Sequence, residues 1–123
     1  MNVANFSESQ RQALLELLVL GMYADGHLAS VEDAKIQEVA ATLDFASAYQ
    51  QQQFLDDLFT RLSQIPLQSD AMRAHLAKLA KNFPTHELRH QALRAVGELL
   101  ASDSNISPQE SKFSALLRAE FGI

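Results

Sequence analysis

The stretch ALLELLVLGMYA, residues 13–24, constrains the fold more than any other part of the chain. Its apolar residues do not alternate, and they do not keep to one helical stripe. Leu14, Leu15, Leu17, Leu18, Val19 and Leu20 point in every direction around a helix of 100° per residue. A helix that is apolar all round must be covered all round. A membrane span would cover it, but a span needs about 20 apolar residues, and this stretch is shorter and contains Glu16. The remaining option is a central helix of a water-soluble bundle, running from about Ser9 to Ala24.

The other segments supply the cover. Ile36, Val39, Ala40 and Leu43 share one face of a second helix starting near Ser30. Phe54, Leu55, Leu58 and Leu62 define a third, from about Ala46 to Gln64, with the glutamines at 50–53 outward and Pro66 beyond its end. Met72, Leu76, Leu79 and Phe83 mark a fourth after Asp70, stopped before Pro84. Thr85 is a good cap for a fifth helix carrying Leu88, Ala92, Ala95, Val96 and Leu99. Ser107, Pro108 and Glu110 spell the start of a sixth, with Phe113, Leu116, Leu117 and Phe121 on its apolar face and Gly122 at its stop. No segment alternates with period two. The expected fold is all-α: a compact bundle of about six helices forming one domain over residues 1–123, with the first and fifth helices at its centre.

Charge bears on partners. The net charge of −5 argues against nucleic acid. Its distribution is uneven: residues 1–45 hold seven acids and two bases, and residues 71–97 hold five bases and one acid. Such polarity can orient a protein partner. With no cysteine there is no disulfide framework, and the N-terminus lacks the basic start of a signal peptide. These features predict a cytoplasmic protein with a protein partner, no membrane contact, and a monomeric or weakly dimeric state.

Two patterns point toward metal. HELRH, residues 86–90, matches the H-E-x-x-H signature of zinc peptidases, in which two histidines one turn apart bind zinc and the glutamate acts as base. Three features oppose that reading. Arg89 puts a charge between the histidines. His86 and His90 lie opposite the Leu88, Ala92, Ala95, Leu99 face. Glu110, the candidate third ligand, falls roughly 10 Å short along the helix axis. A zinc-dependent hydrolase is therefore the alternative reading, and a non-catalytic protein the preferred one.

The second pattern is an echo. YADGHLASVE and SDSNISPQE each follow an apolar helix and lead into the next. At a shift of 78 residues, Asp25 matches Asp103, Leu28 matches Ile106 and Glu32 matches Glu110; beyond the loop a shift of 77 aligns Ile36 with Phe113 and Val39 with Leu116. The echo predicts two helix–loop–helix halves related by an approximate two-fold. Asp25, Gly26, Leu28 and Glu32 would fill positions 5, 6, 8 and 12 of a calcium-binding EF-hand loop. Positions 1 and 3 would then be Gly21 and Tyr23, and in the second copy Leu99 and Ala101, so neither loop is an EF-hand. Asp25 also places negative charge at the C-terminal end of the first helix, where the helix dipole disfavours it. Either it caps the following helix, or it holds a cation or a partner.

The ADG triplet at the end of a buried apolar helix, followed by a hydrophobic residue and Glu32, resembles the tellurite-resistance TerB-like family, as does the second copy near the C-terminus. The resemblance spans most of the chain. It implies a compact all-α fold with internal two-fold character, a cytoplasmic stress-response or scaffold role, and a divalent metal at the loop acids. TerB-like domains also occur beside J-domains in cochaperones, and no J-domain is visible here. Carried over, the metal-ligand candidates are Asp25, Glu32, Asp103 and Glu110. The second copy departs from the pattern at Ser104, where the family prefers glycine.

Overall fold

The computed structural model describes residues 6–25, 36–43, 45–66, 69–100 and 108–123. Where the residues ahead of a helix are described, a side chain there holds one of its first free backbone N–H groups. Ahead of α1 (Glu8–Asp25), the Gln10 amide donates to Ser7 Oγ at 3.2 Å while the Ser7 amide donates to Gln10 Oε1 at 2.9 Å. This reciprocal pair starts the helix just before the Ser9 expected from the sequence. The segment 36–40 is helical and is α2 here. Ser47 caps α3 (Ala48–Leu62), accepting from the Gln50 amide at 3.2 Å. Ser69 caps α4 (Asp70–Ala80), accepting from the Met72 amide at 3.1 Å. Thr85 caps α5 (His86–Leu100) through the Leu88 amide at 3.1 Å. Pro108 is the first residue of α6 (Pro108–Phe121), and the expected cap, Ser107, lies outside the described residues.

Helix ends are equally local. Gly122 takes the left-handed conformation at φ +72°, which costs glycine little because it has no Cβ. There its amide donates to Ala119 O, and the Ile123 amide donates to Arg118 O at 3.1 Å. These two crossed bonds close α6.

Six helices and no strand are present among the described residues. Their buried side chains form one apolar cluster with contributions from every helix. Helix α1 is its axis. Ala13, Leu14, Leu15, Leu17, Leu18, Val19 and Leu20 are all buried, and α3, α5 and α6 pack around them. Ile36, Val39 and Leu43 of the α2 region, Leu55, Leu58 and Leu62 of α3, and Met72, Leu76 and Leu79 of α4 bury the predicted faces. At one end Phe83 stacks between Phe6 and Phe121, with ring centroids 5.6 and 5.9 Å away. Edge-to-face and tilted pairs of this kind add to the area they bury.

One expectation is corrected. Helix α5, expected at the centre beside α1, leaves one side exposed among the described residues. Ala92, Ala95 and Val96 are buried and Leu88 and Leu93 half-buried, while His86, Glu87, His90, Arg94, Gly97 and Glu98 are exposed. It lies against α1 and α6, and its fully buried side chains among the described residues are small, so of the two helices α1 is the more enclosed. The loops that carry the sequence echo lie outside the described residues, and the described helices do not show an internal two-fold.

Candidate functional site

Of the four acids singled out as metal ligands, the backbone places two. Asp25 is the last residue of α1, and Glu110 lies in the first turn of α6. Glu32, Asp103 and the side chains of Asp25 and Glu110 are outside the described residues. The last turn of α1 holds no basic residue, so no cation of that turn offsets Asp25 at the negative end of the helix dipole. Among the described residues, no group of three or more His, Asp or Glu could hold a metal.

The HELRH segment is the first turn of α5. Thr85 sets its start, which turns both histidines outward: His86 and His90 are exposed, their ring centroids 6.3 Å apart and tilted by 30°. Arg89 turns inward instead. Its Nε donates to Phe83 O at 2.8 Å, one terminal nitrogen to Phe121 O at 2.9 Å, and the other to Ala80 O at 3.4 Å. Ala80 and Phe121 are the last residues of α4 and α6, so two helix C-termini, each carrying partial negative charge, converge on one guanidinium, and Ala80 O also accepts from the Phe83 amide at 3.0 Å. The residue that fits the peptidase signature least is thus a clasp of the fold. Its three partners lie 6, 9 and 32 residues away in sequence, which is why no local pattern announces it.

A second polar feature breaches the core. Glu16, the one charge within the apolar stretch of α1, is only 19% exposed. Arg61 of α3 approaches its Oε1 at 3.9 Å, and His75 Nε2 of α4 lies 4.0 Å from the same oxygen. His75 Nε2 is buried and makes no hydrogen bond among the described residues. Burial pushes the His75 pKa below its ordinary 6.5; Glu16 opposes the shift, and Lys78 and Arg61 add to it. The imidazole is therefore held in its neutral form more firmly than in an open chain. A lone acid inside an apolar helix is the sequence signal that such a partner exists.

A third feature is a groove of about 430 Å³ between α5 and α6. His90, Leu93, Arg94 and Gly97 of α5 face Leu117 and Arg118 of α6 across it. The sequence hinted at this only through the positive balance of residues 71–97 and a glycine in a helix interior.

A family model described as tellurite resistance protein TerB matches residues 2–53. No curated protein and no solved structure matches the chain.

Proposed function

From the match of residues 2–53 to the TerB family model, we propose that the chain is a non-catalytic binding module of the stress-response or tellurite-resistance type. It works in the cytoplasm on a protein partner, and its first acidic loop holds a divalent cation. One observation carries the cation reading: the matched stretch runs through Asp25 and Glu32, and Asp25 ends a helix whose last turn has no positive charge. A bound cation would offset a carboxylate there. Asp25 and Glu32 are the residues that would hold it, and oxygen donors of this kind suit Ca²⁺ or Mg²⁺. The non-catalytic reading is supported by HELRH itself, whose histidines face outward while Arg89 is spent on backbone carbonyls. No helix among the described residues is long and apolar enough to cross a membrane.

The test compares Asp25→Asn with the wild type. Asparagine caps a helix about as well as aspartate but lacks the charge a hard cation requires. With metal at 100 times its dissociation constant, the wild type gains ~2.7 kcal/mol, or several degrees of melting temperature, and the variant does not. A wild type whose melting ignores millimolar Ca²⁺ and Mg²⁺ would remove the cation from the proposal. Stoichiometric zinc lost in His86→Ala, with peptide cleavage lost in Glu87→Gln, would instead restore the hydrolase reading.

A further inference from the structure

The groove between α5 and α6 has two kinds of wall. Leu93, Val96, Leu117 and Ile123 give it an apolar floor; Arg94 and Arg118, with His90, give it a basic rim, and among the described residues no acidic side chain lines it. The chain's other surface arginines with described partners are occupied. Arg61 pairs with Asp57 at 3.1 Å and Arg73 with Asp70 at 3.0 Å. Arg94 and Arg118 make no ion pair or side-chain hydrogen bond among the described residues. Two guanidinium groups, each able to take a carboxylate in bidentate fashion, thus flank an apolar trough.

Gly97 adds an independent observation. Glycine in a helix interior costs roughly 1 kcal/mol relative to alanine. Close packing often explains such a residue, but here a Cβ would find nothing within 4 Å. Packing among the described residues does not require a glycine at this position, and the open space it leaves is part of the groove. A volume of 430 Å³ falls in the range of sites that enclose a small ligand or a few side chains.

We propose that the α5–α6 groove binds an acidic peptide segment of a partner protein, seating an aliphatic side chain on Leu93, Val96 and Leu117 beside Gly97 while Arg94 and Arg118 clasp flanking carboxylates. Charge complementarity chooses the occupant. A basic rim repels cationic segments, and a purely apolar ligand would leave both arginines unanswered. The apolar floor supplies the affinity and the arginines supply selectivity and approach rate. The groove lies outside residues 2–53 and shares no residue with the first acidic loop, so the two readings fail separately.

The test is to pan short random peptides against the full chain at physiological salt and to map the enriched ones by amide chemical shifts. Enriched peptides should combine Asp or Glu with Leu, Ile, Val or Phe and shift Leu93, Gly97 and Leu117. Arg94→Glu and Arg118→Glu should each weaken binding about tenfold or more. Gly97→Leu should fill the groove and abolish binding without lowering the melting temperature, which separates occlusion from misfolding. Enriched peptides without acids, or binding that Gly97→Leu leaves intact, would overturn the proposal. So would capture of the groove by a second copy of this chain or by anionic vesicles in place of any peptide.

Discussion

Helices α1 and α5 carry leucine, alanine and valine along much of their length, and the fold treats them differently. Around α1, leucines at successive positions 14, 15, 17 and 18 are all fully buried, so it must be enclosed on every side. Around α5, the buried residues among those described are the small ones, Ala92, Ala95 and Val96, and its half-buried leucines among those described are Leu88 and Leu93. Large side chains on α1 fill the interior; small ones on α5 let its backbone come close to its neighbours and leave its far side free. Apolar content alone does not distinguish a central helix from a flanking one. The distinction lies in whether the apolar residues surround the axis or fall on one stripe.

The strongest test of this contrast is truncation on each helix. Leu18→Ala in α1 should cost about 2–5 kcal/mol, because the cavity is enclosed and cannot collapse fully. That is a large part of the ~5–15 kcal/mol expected of a whole domain. Leu93→Ala in α5, at a half-buried site on the groove, should cost well under half as much. Denaturant titration of both variants decides it; equal losses would mean that α5 is as enclosed as α1.

The next effect concerns how α5 is held despite its narrow buried face. Arg89→Met keeps the stem and removes all three carbonyl contacts. Hydrogen bonds from a charged donor contribute about 1.5–3 kcal/mol each where nothing replaces them, and water can reach part of this site. A loss of about 2 kcal/mol is expected, read by thermal melting. Arg89→Lys should recover only part of it, since a single ammonium cannot span three carbonyls in a fixed fork. Full recovery by lysine would reduce the clasp to a simple charge effect.

The smallest effect lies at the charge that α1 takes inward. His75 faces Glu16 with its pKa held below 6.5 by burial. The unfolded chain therefore binds a proton that the folded one resists, and stability rises with pH across the interval between the folded and unfolded values. The contribution is whole above pH 6.5 and is lost as pH falls below it toward the lowered folded value. His75→Asn should flatten the slope of melting temperature against pH in that interval. A slope unchanged in the variant would assign the pH dependence to other groups.

Much of this architecture is legible in the sequence, for a physical reason. Helix starts and stops depend on side chains within a few residues, so Thr85, Pro108 and Gly122 could be read directly. The start of α4 was misplaced by one residue because Ser69 and Asp70 are both good caps. Ser69 takes the role, and Asp70 turns to Arg73 instead. Helix α1 was legible because its pattern admits only one environment. Arg89 was not, because its partners come from two separate places in the chain, the turn Ala80–Phe83 after α4 and the end of α6. The groove was not legible either, since it is a space between helices and no single segment encodes it. Of the acid-bearing candidate site, the structure describes only where Asp25 and Glu110 stand on their helices.

The ring of Phe83 has a topological consequence. It touches Phe6 on one side and Phe121 on the other, so the two ends of the described chain meet across a single side chain in the interior. The order in which the helices are strung is then separable from the way they pack.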